Sequence, residues 1–183
     1  MSTEKKAKPI LAFVLQITIL HFVTYFLFGA VAAAVLNYPY WYSVPPLSFY
    51  MKPTDSVWVA AGPLFQFIRG PIMGLALYPF RRIFVEAKNG WLYLWGIFLG
   101  IGILSTFGPA PGSIEGLVFT TFPAVLQIAF LPEVILQSLA LSVLLFLWQR
   151  HPGDKRLWIP FVTVFGVLLA LGTLGVLFTL MMP

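Results

Sequence analysis

The chain has 183 residues, of which 60% are hydrophobic and 9% are charged, with a net charge of +5 and no cysteine. Soluble domains average about 25% charged residues, so the composition excludes a soluble domain and indicates an integral membrane protein. The basic residues lie in short clusters between apolar runs, which is typical of membrane topology rather than of a nucleic-acid surface. We therefore expect the lipid bilayer, and no nucleic acid, as a partner. The lack of cysteine also excludes thiol catalysis and thiolate metal sites.

The first apolar run, residues 10–36, contains His21. A cleaved signal peptide is the alternative interpretation, but the run is longer than the usual apolar region of about 7–15 residues, so we expect a retained membrane span. Thr18, His21 and Tyr25 share one helical face, which should contact protein rather than lipid. His21 is then either a neutral histidine hydrogen-bonded to a neighbouring helix, which we favour, or part of a proton relay or ligand site.

The second apolar run, residues 57–80, carries Arg69 near its middle. An arginine at this depth costs about 2.5–3.5 kcal/mol on insertion scales, so other polar groups should offset its charge. Gln66 lies one turn before Arg69 on the same face. Gly70 and Gly74 have the spacing of small residues at helix–helix contacts, and we expect them to serve packing.

The remaining sequence predicts three more spans, at residues 91–107, 124–148 and 158–182. Between the third and fourth spans, residues 108–123 are rich in glycine and proline yet partly apolar. Ser113 can cap a short helix there, with Glu115 in its first turn. We expect a broken or re-entrant segment, because irregular backbone at membrane depth must be buried in protein or line a cavity.

The charge distribution predicts the orientation. In a five-span arrangement nine basic residues fall on one side, Lys52 alone falls on the other, and Arg69 lies within the bilayer. The excess marks the cytoplasmic side and predicts an inside N-terminus and an outside C-terminus. The predicted fold is thus an all-α integral membrane protein with five transmembrane helices in one domain, residues 1–183, in a prokaryotic cytoplasmic membrane. The nine residues are Lys5, Lys6, Lys8, Arg81, Arg82, Lys88, Arg150, Lys155 and Arg156.

The polar residues of the predicted spans suggest one network around Arg69. Glu133 lies at the start of the fourth span, with Gln137 one turn below it. A guanidinium and a carboxylate about 4 Å apart gain roughly 4 kcal/mol at an effective dielectric near 20, which is comparable to the insertion cost. Our hypothesis is that Glu133 pairs with Arg69 and that Glu115 gates access or contacts a ligand. A purely structural ion pair is equally compatible with the sequence.

Functionally, the sequence favours a non-enzymatic protein. It would bind or translocate a small anion or a lipid headgroup, or act as an accessory subunit of a larger membrane complex. The expected protein partner is either a second copy of the chain, in a homo-oligomer, or another subunit of such a complex. The alternative is an intramembrane lipid-modifying enzyme that uses Glu115 or Glu133 as its acid/base. We expect no metal and no cofactor, since two histidines and no cysteine cannot supply a dense ligand cluster. The candidate binding residues are His21, Gln66, Arg69, Ser113, Glu115, Glu133 and Gln137.

Overall fold

A computed structural model describes residues 3–105 and 110–181, and within these ranges the protein is all-helical, as predicted. The first helix and the last two helices are long. The α-helices are α1 Thr3–Val35, α2 Tyr38–Ser43, α3 Val57–Ala60, α4 Gln66–Leu77, α5 Arg81–Glu86, α6 Gly90–Gly96, α7 Ile114–Phe119, α8 Ala124–Arg150 and α9 Lys155–Met181. Short 3₁₀ helices span Leu47–Phe49 and Tyr78–Phe80, and a π-helical segment, Ile97–Leu104, continues α6.

Three helices are long and apolar enough to cross a membrane: Pro9–Val35, Ala124–Arg150 and Lys155–Met181, each of 27 residues. At 1.5 Å per residue, each is about 40 Å long, which exceeds a hydrocarbon core of about 30 Å. The protein is therefore membrane-associated. Residues 90–104 form a shorter apolar helix.

Helix α1 lies at the centre and contacts α4, α8 and α9. Two contacts show the direction of α8. Gly29, late in α1, lies near Glu133, early in α8, whereas Gln16, earlier in α1, bonds to Gln149 at the end of α8. Helix α8 is therefore antiparallel to α1. Helix α9 runs parallel to α1. The main core combines apolar residues of α1 with those of α4, α5, α6 and α8, among them Phe13, Ile17, Leu20, Leu77, Phe84, Leu94, Leu141 and Leu145.

The packing role predicted for Gly70 and Gly74 is confirmed. A Cβ atom on Gly70 would lie 2.7 Å from the Cα of Thr18, and one on Gly74 would lie 2.9 Å from the Cα of Val14. Both distances are shorter than a carbon–carbon contact allows. The two glycines thus let α4 approach the backbone of α1, as small residues do at closely packed helix interfaces.

The second predicted span differs from expectation, because the helix over residues 57–80 is divided. Helix α3 ends at Ala60, residues 61–65 form turns, and α4 begins at Gln66. Pro71 lies inside α4 without ending it. At 12 residues, α4 covers about 18 Å, which is less than the bilayer core. The third predicted span extends to residue 107, and its last two residues lie outside the described ranges.

The short helix predicted after Ser113 is present as α7. The Ser113 hydroxyl accepts a hydrogen bond from the backbone N–H of Gly116 at 2.9 Å and donates to the carbonyl of Ala110 at 2.6 Å. Glu115 lies in the first turn, as predicted. The helix ends at Phe119, with Thr120 as its C-cap residue. Residues 108 and 109 of the predicted segment lie outside the described ranges.

Polar and basic side chains connect the C-terminal end of α8 with α1 and α5. Arg81 donates to the side-chain oxygen of Gln149 at 2.7 Å, and Gln149 donates to the side chain of Gln16 on α1. Arg150 donates to the carbonyls of Val85 and Ala87, both at 3.1 Å. The contacts of Arg150 satisfy carbonyls at the C-terminal end of α5. Some of the basic residues that were counted for the predicted orientation therefore also stabilise helix packing.

Candidate functional site

Four predicted residues line one cavity, which we call the arginine cavity. It has a volume of about 230 Å³ between α1, α4, α8 and the π-helical segment. Polar groups converge in it from three helices, although most of its wall is apolar. Such a wall with a few polar groups is typical of small-molecule sites. Its lining includes His21, Tyr25, Arg69, Met73, Phe98, Gly102, Glu133, Gln137 and Ser138.

The Arg69 guanidinium makes no ion pair with any residue in the described ranges. It lies within electrostatic reach of His21 and Tyr25 on the facing helix. The direct contact between Arg69 and Glu133 that we hypothesised is therefore not formed, although both line the arginine cavity. Glu133 instead accepts a hydrogen bond from the hydroxyl of Tyr38. The cavity thus holds a cation and a carboxylate that do not neutralise each other by contact.

His21 and Gln66 leave buried polar atoms unsatisfied next to this cavity. His21 is 3% exposed, and neither ring nitrogen makes a hydrogen bond with a described residue, although the Gln66 amide lies beside it. The Gln66 amide donates to the carbonyl of Gly62 at 3.1 Å, while its oxygen accepts no hydrogen bond from a described residue. The hydrogen bond expected for His21 is therefore not formed within the described part of the chain. Buried groups of this kind are normally satisfied by protein, water or ligand.

Glu133 is half-buried and accepts a hydrogen bond from the hydroxyl of Tyr38, on α2. Its other oxygen, Oε1, accepts no hydrogen bond from a described residue and faces Gly29 of α1. The ring of Tyr38 stacks on that of Tyr42, with centroids 5.2 Å apart. Burial and the nearby Glu133 raise the pKa of Tyr42 to about 12, and burial raises the pKa of Tyr38 as well. Both phenols therefore remain protonated donors near neutral pH.

Glu133 also lines two further cavities, which it shares with Tyr38 and Tyr42. One, of about 270 Å³, lies between α2, α8 and the loop before α7. The other, of about 390 Å³, lies between α1, α2 and α3, and includes Tyr25. We call the group Tyr25, Tyr38, Tyr42 and Glu133 the tyrosine cluster. It forms the boundary between the arginine cavity and the two others.

Two of the predicted residues lie elsewhere. Ser113 is 1% exposed and is occupied by the cap of α7. Glu115 is exposed in the first turn of α7. Neither lines the arginine cavity. The gating role hypothesised for Glu115 stays a prediction.

Sequence reasoning missed the tyrosine cluster and the π-helical segment. Amphipathic aromatic rings favour the headgroup level of a membrane, which suits the exposed Tyr40 and Tyr50 of the loop over residues 37–56 but not the half-buried Tyr38. Tyr25 had appeared only as part of a helical stripe. A π-helix is rare and often occurs at functional sites, and this one contributes Gly102 to the cavity wall. No local signal in the sequence distinguishes it from an α-helix.

No group of three histidine, cysteine, aspartate or glutamate side chains within residues 3–105 and 110–181 is placed to hold a metal ion. Comparison of the chain with protein-family models, with curated proteins and with solved structures found no match.

Proposed function

We propose that this protein is a five-span membrane protein that binds a phosphate-type anion, carried by a lipid headgroup or free in solution, in the arginine cavity. The observation that carries the proposal is the set of unsatisfied groups there. Arg69 has no ion-pair partner among the described residues, and His21 beside it has two free ring nitrogens. A guanidinium presents five N–H donors in a planar fork that suits phosphate oxygens.

The size of the cavity favours a headgroup rather than a whole lipid or a large metabolite. Pockets for drug-sized ligands measure about 300–1,000 Å³, whereas the arginine cavity measures about 230 Å³. Ile68 and Ile72, on the neighbouring face of α4, are exposed and would contact acyl chains in a bilayer. Arg69 is exposed on α4, so within a bilayer a bound phosphate would also neutralise a charge that is otherwise unfavourable in hydrocarbon.

The first prediction concerns binding to Arg69. We expect Arg69→Gln to weaken the binding of phosphatidylglycerol at least about tenfold, because hydrogen bonds to charged groups contribute about 1.5–3 kcal/mol each. Arg69→Lys should restore binding only in part, because lysine lacks the planar fork. Native mass spectrometry of the full chain, released from gentle detergent and titrated with the lipid, would measure this.

Arg82→Gln is the matched control, because Arg82 is exposed on α5 and lines none of the three cavities. It should bind phosphatidylglycerol as the wild type does. Titration with inorganic phosphate separates the two ligand sources, since a headgroup site should prefer the lipid and a free-anion site should bind both. Equal binding by wild type and Arg69→Gln would contradict the proposal.

A second function, a lipid-modifying enzyme, is favoured by one observation. The Glu133 carboxylate is hydrogen-bonded to the half-buried Tyr38 and lines the cavity that would hold the phosphate, where it could act as an acid/base. Incubation of the purified protein with phosphatidylglycerol and mass analysis of the lipid distinguish the two functions. A binding protein should return the lipid unchanged.

The five-span topology is supported by helix directions as well as by charge. Helix α8 runs antiparallel to α1 and α9 runs parallel to it, as the fourth and fifth of five spans should. Segments 57–80 and 91–107 would supply the second and third spans, with α3 and α4 joined at the break. A prokaryotic cytoplasmic membrane fits the strong excess of basic residues on one side.

The second prediction tests this orientation. A phosphatase reporter that is active only outside the cytoplasm should be active when fused after Pro183 and silent when fused after Asn89 or Asp154. The reason is the nine-to-one distribution of lysine and arginine. A silent fusion after Pro183 would rule out the five-span arrangement.

A further inference from the structure

We propose that the arginine cavity and the tyrosine cluster together bind a zwitterionic headgroup with a phosphate at Arg69 and a primary ammonium at Glu133, as in an ethanolamine phospholipid. The inference rests on the proposed function, because Arg69 is the phosphate site in both. It adds a site for a cation, and this restricts the proposed ligand to zwitterionic headgroups. The carboxylate and the guanidinium line the same cavity.

The first argument is the separation of the two charges. Arg69 and Glu133 line one cavity of about 230 Å³ but form no ion pair with each other within the described part of the chain. Opposite charges in a low-dielectric site attract strongly, and each is costly while it lacks a close counter-charge. A ligand with an anionic and a cationic end would neutralise both at once.

The second argument concerns the surroundings of Glu133. Tyr38 occupies Oε2, which leaves Oε1 as an open acceptor towards Gly29. Gly29 and Glu133 both line the cavity of about 390 Å³ between α1, α2 and α3, so there is open space beside this oxygen, on the side of Glu133 away from the arginine cavity. A primary ammonium has three N–H donors and can donate to Oε1. The Tyr38 ring, whose hydroxyl donates to the carboxylate, stacks on the ring of Tyr42.

The aromatic rings add attraction for a cation. A positive charge within about 6 Å of a tyrosine face gains roughly 0.5–2 kcal/mol from the ring quadrupole in general. That contribution alone would suit a quaternary ammonium equally well. The open carboxylate oxygen favours the primary ammonium, because a quaternary nitrogen has no hydrogen to donate.

The third prediction tests the ammonium site. We expect the wild-type chain to bind phosphatidylethanolamine about tenfold more tightly than phosphatidylglycerol with the same acyl chains, and phosphatidylcholine less tightly than phosphatidylethanolamine. Glu133→Gln should abolish the preference for the ethanolamine lipid over phosphatidylglycerol. Native mass spectrometry of the full chain with the three lipids would measure these affinities. Glu86→Gln is the matched control, since Glu86 is exposed on α5 and lines none of the cavities.

A measurement on the wild-type chain keeps the test independent of folding. N-acetylation of phosphatidylethanolamine removes the ammonium but keeps the phosphate, so the modified lipid should bind no better than phosphatidylglycerol. Unchanged binding of the acetylated lipid, or equal binding of the choline lipid, would overturn the primary-ammonium site. If phosphatidylglycerol still bound in an Arg69-dependent way, the proposed function would stand. If neither a lipid nor inorganic phosphate bound with dependence on Arg69, both proposals would be wrong.

Discussion

Gly70→Leu is expected to lower the free energy of unfolding by about 3 kcal/mol or more, at the upper end of the range for over-packed cores. A Cβ atom at Gly70 would lie 2.7 Å from the Cα and 3.0 Å from the Cβ of Thr18. Since one of these atoms is backbone, no rotamer change relieves the overlap. Helix α4 would have to move away from α1. Unfolding of the purified chain by SDS in mixed micelles measures the change.

Gly166→Leu is the matched control. Gly166 is also helical, on α9, but a Cβ atom there would meet nothing within 4 Å. Because leucine is a better helix former than glycine, this variant should be as stable as the wild type or slightly more stable. Equal stability of the two variants would show that α1 and α4 do not pack at Gly70 as described. The displacement in Gly70→Leu should also impair binding, because the same contact sets His21 and Gln66 side by side.

Gln127→Leu should destabilise the protein by about 2–6 kcal/mol, because each buried polar group left unsatisfied costs about 1–3 kcal/mol. Gln127 is 1% exposed and holds the chain around α7. Its oxygen accepts from the N–H of Gly112 at 3.2 Å, and its amide donates to the carbonyl of Phe122 at 2.9 Å. Leucine would leave both backbone groups without that partner. Thermal unfolding and SDS titration would measure the loss.

Gln127→Glu separates the two halves of this interaction. Glutamate keeps an acceptor for Gly112 but has no amide to donate to Phe122, so in its charged form it should also be destabilising. If Gln127→Leu were as stable as the wild type, the backbone around α7 would have to be satisfied by water. That result would contradict the buried position of the Gln127 side chain.

Local features of the fold could be predicted from the sequence. Helix α8 begins at Ala124 as predicted, because Pro123 cannot continue a preceding helix and a long apolar run follows. The cap of α7 was predicted from Ser113, since capping depends on residues three apart. The close approach at Gly70 and Gly74 followed from their spacing of four. In each case the residues that determine the feature are close together in the sequence.

Contacts between distant segments could not be predicted. Tyr38 and Glu133 are 95 residues apart, and nothing in the sequence pairs them. From the sequence, charge complementarity and the place of Glu133 on a regular helix pair Glu133 with Arg69 instead. The break in the helix after Ala60 could not be predicted either, because the sequence around it resembles a continuous span. Hydropathy stays high through the turn, and the glycine and proline there do not by themselves distinguish a kink from an interruption.

Solid-state NMR can locate the bound phosphate directly. The full chain, with ¹³C-labelled arginine and reconstituted with phosphatidylethanolamine, should show dipolar contact between a guanidinium carbon and the lipid phosphorus. Arg69→Gln should remove that contact, while Arg82→Gln should leave it. Contact that persists in Arg69→Gln, or the absence of any contact in the wild-type chain, would contradict a phosphate site at Arg69.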